Sequence, residues 1–369
     1  MNRNQNGMAL VVVLGVIAVL LVTGLHLSKM TTETVTLARL HTDQFTAREM
    51  ARSAIHLAMA LLADDAAKTD TDAIQEDWAD PDTLSRMVEQ LGYSRGQIRL
   101  AITDELGKIQ VNALMQRFPG HQVNPDQVML WERLLEQHVD ANRSQTDHDP
   151  QEVINALIDW LDSGDDDAVT GLSGAESLYY AGRFPAHACA NKDIDHLSEM
   201  RNVKGFSADM FAFSGNEPDP EVPGKTAPVT WKDLFTVYGL FNEADDGKSY
   251  RYPGRININT ANLEVIQALL PLGMTEFAQD MLDYRAQKSE DGEMFLNPLD
   301  KGWYRRVIGL SANEREKFER MIRYDSHIFR VTALVRLNRA QVGLTAYVLR
   351  EQQEKSRQWI CRIIQMERM

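Results

Sequence analysis

Six carboxylates fall within 18 residues, at Asp159, Asp162, Asp165, Asp166, Asp167 and Glu176. That density repels itself unless water or a cation neutralises it. Ca²⁺ takes six to eight oxygens from carboxylates, carbonyls and water, and an acidic loop supplies them. No D-x-D-x-D-G run ends in a Glu at its twelfth position, so the segment is not an EF-hand. The residues alone leave two readings, a solvated acidic loop that caps a helix and a Ca²⁺ loop. Elsewhere there is little reactive chemistry. Nine His are scattered through the chain, and it contains no H-E-x-x-H, G-x-S-x-G or P-loop pattern, so the sequence reads as non-enzymatic. Cys189 and Cys361 fit no metal or C-x-x-C spacing, and a disulfide between them is the remaining option in an oxidising compartment.

The strongest signal lies at the N-terminus. Residues 8–28 carry no charge over 21 positions, and at about 1.5 Å per residue they just cross a bilayer core. Nothing later in the chain resembles this run, so one membrane span precedes a soluble remainder. A secretory signal peptide would need small residues at a cleavage site after the span, and Val22-Thr23-Gly24 is a poor match. A plain signal anchor fits. So does a third reading, because the short leader ends in Gly7 directly before Met8. This resembles a type IV prepilin leader, which is cut after the Gly on the cytoplasmic side. Pilins and most pseudopilins carry a Glu at the fifth mature position; here, counting from Met8, that position is Val12. A carboxylate inside the bilayer costs about 2.5–3.5 kcal/mol and needs a partner. In pilin-like fibres the partner is the N-terminal amine of the subunit above, which a tip subunit lacks.

Those residues need elements to position them. Apolar residues recur at three- and four-residue steps through 29–63, so a single helix of roughly 55 residues and about 80 Å runs from the membrane into the soluble part. Residues 64–84 read as an acidic loop. Alternation at 97–112 around Glu105-Leu106-Gly107-Lys108 reads as a β-hairpin. From 113 to about 325 the pattern is helical, with polar and Pro-rich loops. Strands return at 329–337, 342–350 and 359–365. The expected fold is α+β: a long N-terminal membrane-spanning helix packed on a small antiparallel pilin-like sheet, with a large inserted all-α domain. Its parts are a leader (1–7), the span (8–28), a first pilin-like part (29–112), the insertion (113–325) and the C-terminal strands (326–369).

Within the insertion, Gly254-Arg-Ile-Asn-Ile-Asn-Thr-Ala261 leads to Gly273 and a second helical run. This resembles a helix–hairpin–helix or SAM-like unit, with Thr260 as N-cap and Gly273 at the turn. A weaker echo ends at Gly205, and another begins at Leu310. Such hairpins elsewhere bind DNA, which gives the alternative reading of a membrane-anchored DNA-binding protein of competence type. The hairpin here carries Glu276 and no base, and the chain has 39 basic against 53 acidic residues, net −14. Both features repel a phosphate backbone, so no nucleic-acid partner is expected.

Leader, Val12, hairpin, insertion motifs and C-terminal strands together resemble the type II secretion minor pseudopilin K family over essentially the whole chain. The resemblance implies cleavage between Gly7 and Met8 by a prepilin peptidase and N-methylation of Met8. It implies single-pass residence in the inner membrane with the bulk in the periplasm. Its implied partners are the minor pseudopilins of I and J types, the major pseudopilin and the inner-membrane secretion platform. The implied role is to initiate and cap the pseudopilus that exports folded proteins across the outer membrane. DWLD followed by GAESLYY is similar to that family's calcium-associated motif. This implies Asp162, Asp165 and Glu176 as ligands, helped by Asp166 or Asp167, while Asp159 is left as an internal hydrogen-bonding residue.

Overall fold

The computed structural model describes residues 5–141, 149–164, 169–206, 230–242, 249–292 and 294–369. Helix α1 (Gln5–Ala66) is continuous over 62 residues, about 93 Å at ideal rise. Up to residue 46 it buries no side chain among those described. From there Ala47, Met50, Ala51, Ala54, Ile55, Ala58 and Leu62 form one buried stripe at three- and four-residue steps. Four alanines in that stripe let the helix lie close on a sheet.

The sheet has four antiparallel strands in the order β1 (Gln97–Asp104), β2 (Ile328–Leu337), β3 (Ala340–Gln352) and β4 (Trp359–Arg368). Alternate residues Phe329, Val331, Ala333 and Val335 of β2 and Val342, Leu344, Ala346 and Val348 of β3 face α1. Their alternation is what marked these strands in the sequence. Helix α2 (Pro81–Glu89) closes the end of this core, and Trp78 packs edge-on against Phe329 at 5.2 Å. The stretch expected to be an acidic loop therefore contains a helix start. Asp80 accepts a hydrogen bond from Thr83 N as N-cap, Pro81 opens the first turn and Asp82 lies within it.

The hairpin expected at 97–112 does not form. β1 pairs with β2 from Gln97↔Arg336 to Asp104↔Phe329. The chain then leaves the sheet, and Ile109–Gln110 pairs in parallel with Phe235–Thr236. The cause is a change of core. Ile109 and Val111 are buried in a second hydrophobic cluster, separate from the one under α1. Their alternation serves that cluster.

The second cluster gathers helices α3 (Pro125–Ala141), α4 (Pro150–Leu161), α5 (Ser177–Ala181), α6 (Trp231–Leu234), α7 (Leu263–Leu269), α8 (Phe277–Ala286) and α9 (Ala312–Met321). Helices α7 and α8 form the expected hairpin, with Gly273 (φ +82°) in the turn. Thr260 is not its N-cap. Asn262 caps α7 by accepting from Val265 N at 3.0 Å, while the Thr260 hydroxyl donates to Asp104 Oδ2 at 2.6 Å. The echo before Gly205 is a six-residue 3₁₀ helix (Leu197–Asn202), and Ser311 starts α9 with a reciprocal capping box to Glu314.

Asp104, at the end of β1, joins the two clusters. Its carboxylate is buried and accepts from Leu106 N (2.7 Å), Thr260 Oγ1 (2.6 Å), Ser326 Oγ (2.6 Å) and Asn257 Nδ2 (2.9 Å). Substituting Asp104→Ala leaves four donors without their acceptor inside the protein. The expected cost is about 3 kcal/mol of unfolding free energy. It is read from urea midpoints at constant m, and an unchanged midpoint would remove Asp104 from this role.

Candidate assembly helix and cation sites

Gly7, Met8 and Val12 all lie on the first turns of α1. Met8 and Val12 are exposed, as are Leu14, Ile17, Leu20, Leu21 and Leu25 around the helix. This is the one helix, among the described residues, long and apolar enough to cross a membrane. Its one threonine within 8–28 is internally satisfied: Thr23 Oγ1 donates to Val19 O at 2.9 Å. The following Thr31, Thr32, Thr34 and Thr36 do the same one turn back. Within the span, returning the Thr23 hydroxyl to the helix backbone spares an unpaired donor in lipid.

The acidic segment after α4 is built around Asp159. That buried carboxylate accepts from Thr170 N at 2.9 Å and Ala175 N at 2.6 Å, which ties the loop back onto the helix. Gly174 belongs to the same closure, since a Cβ there would overlap the Asp159 carboxylate. Asp162 is the C-cap of α4, at the helix end where carbonyl dipoles favour a cation. Its Oδ2 lies 3.5 Å from His121 Nδ1. Glu176 stands at the start of α5, only 5% exposed. Two expected ligands are thus placed on the two ends of one closed loop, and Asp165, Asp166 and Asp167 lie outside the described residues. Carboxylate oxygens are the donor type that Ca²⁺ takes.

A second acidic group was not legible as a site. Asp65, Asp72 and Glu76 bring carboxylate oxygens within 4.8 Å of one another and could hold an ion. Arg350 of β3 already faces two of them. Its Nη2 lies 2.6 Å from both Asp72 oxygens and donates to Ser326 O at 2.7 Å; its Nη1 reaches Asp65 Oδ2 and Leu62 O, each at 3.2 Å. Glu76 accepts from Trp78 Nε1 at 2.7 Å and Ala73 N at 3.1 Å. Burial pushes the Asp72 carboxyl up to about 6 despite Arg350. Burial, then the Asp65 charge, pushes Glu76 up to about 7. Three neighbouring carboxylates share one guanidinium, which contacts Asp65 and Asp72 only, so the group carries excess negative charge that a proton or a cation could offset. The only sequence signal was the density of acids at 64–82, which a solvated loop explains equally well.

The two cysteines do not pair. Cys189 is buried in the helical cluster, where its thiol donates to Asp159 O at 3.3 Å. Cys361 is on β4, against the core under α1. Burial raises the Cys189 thiol to about 12 and the Cys361 thiol to about 11, so neither is a reactive thiolate.

Glu76 gives a pH prediction. Its folded-state acidity is weakened, so the folded protein binds more protons than the unfolded chain between pH 4.5 and 7. Stability therefore falls as pH rises through that window. Glu76→Gln should match the parent protein near pH 4 and exceed its stability at pH 8 by on the order of 2 kcal/mol. Parallel denaturation curves at the two pH values would show that the carboxyl is not strained by burial.

Comparison with known proteins agrees with this architecture. A family model described as type II secretion system (T2SS), protein K matches residues 107–213. Type II secretion system protein K of Pseudomonas aeruginosa is 31% identical over 217 residues, covering 57% of this chain and 60% of that protein. The Klebsiella pneumoniae protein of the same name is 27% identical over 213 residues, covering 57% and 61%. The chain thus aligns with about three-fifths of the length of these relatives. In structure it is similar to a chain of the GspK–GspI–GspJ complex of the enterotoxigenic Escherichia coli type 2 secretion system. There the TM-score is 0.57 at 18% identity, with 90% of this chain and 99% of the other covered, which shows a shared fold. The chain is thus similar to type II secretion system protein K in sequence over part of its length and in fold over most of it.

Proposed function

We propose that this chain is a non-enzymatic minor pseudopilin that initiates and caps a type II secretion pseudopilus. The observation that carries the reading is α1 itself. One unbroken helix presents an uncharged exposed surface over 8–28 and then an alanine-rich face buried on a sheet. Cleavage after Gly7 leaves Met8 as the mature N-terminus and the site of N-methylation. The span holds the protein in the inner membrane, with residues after 28 in the periplasm. Val12 requires no amine above it, which suits the last subunit of a fibre. The bulk inserted between β1 and β2 would obstruct a further subunit stacking on top. The I-type and J-type minor pseudopilins are the proposed immediate partners, since the E. coli relative of similar fold was solved with GspI and GspJ. The prepilin peptidase, major pseudopilin and inner-membrane platform complete the set.

The helix–hairpin–helix motif supports a structural role. Asn257 and Asn259 are buried. Asn257 Nδ2 donates to Asp72 O and Asp104, and Asn259 accepts from Trp303 Nε1 at 2.7 Å. The Arg285 guanidinium donates to Ile258 O and Ala261 O. These groups are spent inside the fold, and the exposed Glu276 and Asp280 of the motif are acids that repel a phosphate backbone.

Ca²⁺ would be held by Asp162 and Glu176 with help from Asp165, Asp166 or Asp167. When bound it would supply positive charge beside these carboxylates and so stabilise the closed loop. Asp159 closes the loop from within, so its part is to position the ligand-bearing segments.

Two experiments test these readings. Co-expression with a prepilin peptidase should remove seven residues, seen by intact mass. Gly7→Leu should abolish the cut and, with it, co-purification of the I-type and J-type partners. A cut after residue 24, or none, would sink the pilin mechanism. Separately, EGTA should lower the melting temperature of the parent protein by several degrees, with Ca²⁺ restoring it. Glu176→Gln should melt at the same temperature with or without chelator. Equal melting of the parent protein in EGTA and Ca²⁺ would rule the loop out as a stabilising metal site.

A further inference from the structure

We propose that a cleft beside α5 binds an acidic, extended peptide segment of another protein. The cleft encloses about 350 Å³, and its walls include Tyr179, Arg183, Phe184, Arg201, Lys204 and Phe206. Three of these are cations, and the described lining contains no carboxylate. That is a local reversal of sign in a chain of net −14.

Its cations are not equivalent. Lys204 Nζ is 3.1 Å from Glu152 and donates to Ser173 O at 2.9 Å, so it braces the wall. Arg183 and Arg201 are exposed and have no carboxylate within ion-pair distance among the described residues. Instead Arg183 lies over the Tyr179 ring at 4.5 Å, and Arg201 lies 5.6 Å from the Trp231 ring. Stacking on a ring holds a guanidinium in place while leaving its N–H edges free for a carboxylate fork.

The rim adds an apolar requirement. Phe184 is 102% exposed and Leu178, next to Tyr179, is 85% exposed. Two fully presented large side chains beside two guanidinium groups suit a ligand with both carboxylates and an apolar side chain. An acidic peptide has both, and a simple anion has only the charge. The cleft lies away from α1 and its span, so this binding does not depend on the tip assignment and can fail without it.

The test uses the full chain in neutral detergent and a fluorescein-labelled peptide, Asp-Glu-Phe-Asp-Leu-Glu, followed by anisotropy. Saturable binding that weakens with added salt is expected. The double variant Arg183→Glu, Arg201→Glu should weaken it about tenfold or more. Phe184→Ser should weaken it roughly fivefold through lost apolar contact. Leu272→Ser, an exposed position on the α7–α8 turn, should bind like the parent protein. Circular dichroism checks that each variant is folded; all four substituted side chains are at the surface, and either cleft variant alone decides the matter. The proposal is overturned if the Asn/Gln version of the peptide binds equally well, or if neither cleft variant weakens binding. It is also overturned if inorganic phosphate at matched charge displaces the peptide, which would make the cleft a simple anion site.

Discussion

Arg350 is the residue on which the arrangement of this chain turns. It projects from β3 and binds, in one planar fork, the carboxylate of Asp72, the carboxylate of Asp65, and the carbonyls of Leu62 and Ser326. Those partners belong to the C-terminal turn of α1, the segment after it, and the loop that enters β2. A buried guanidinium without such partners would carry a large desolvation penalty, so the four segments must arrive together or not at all. Asp72 then passes the constraint on. Its Oδ2 accepts from Ser326 N at 2.6 Å and its carbonyl from Asn257, while Ser326 and Asn257 both donate to Asp104. This polar seam fixes the helical cluster against the sheet in a single orientation. Apolar packing alone would allow it to slide.

The seam also explains what the sequence could and could not reveal. Periodicity found α1 and the three C-terminal strands because each buries one face against a single apolar partner. That signal is local and repeats every two or about 3.6 residues. Ile109 and Val111 alternate just as well, yet they serve the other core, and alternation carries no record of which partner a strand meets. Asp65, Asp72, Asp80 and Glu76 sat in a run of acids that reads as solvated. Asp80 is a helix cap, Asp65 and Asp72 meet an arginine that lies 285 and 278 residues away, and Glu76 accepts from the indole of nearby Trp78. Thr260 had the right type and place for a cap, but a carboxylate 156 residues away took its hydroxyl. Asp159 was set apart from the other five acids as an internal hydrogen-bonding residue, and it does accept the amides of Thr170 and Ala175. Ligands that depend on long-range closure leave a compositional trace without an assignment.

α1 meets two solvents with one backbone, and its composition changes where the solvent does. Over 8–28 its side chains are mostly branched and apolar, and the Thr23 hydroxyl is turned back onto a carbonyl. From 47 onward small alanines admit the sheet. Between them, Val35, Leu37 and Phe45 are exposed although their surroundings are charged and polar. The β2–β3 turn reaches only as far as Asp43, where Asn338 donates to its carboxylate, so Val35 and Leu37 lie beyond the sheet, and Phe45 is exposed beside it. Large apolar groups in that interval cost free energy in an isolated chain and stabilise one whose helix lies beside others. In the proposed tip complex these residues would face the helices of neighbouring subunits, while the seam at Arg350 holds α1 at a fixed angle to the bulk above. A helix gripped at one end by buried charge can transmit the position of that bulk to its membrane end. A helix tethered only by apolar packing would pivot, and a cap that pivots could not block the next subunit.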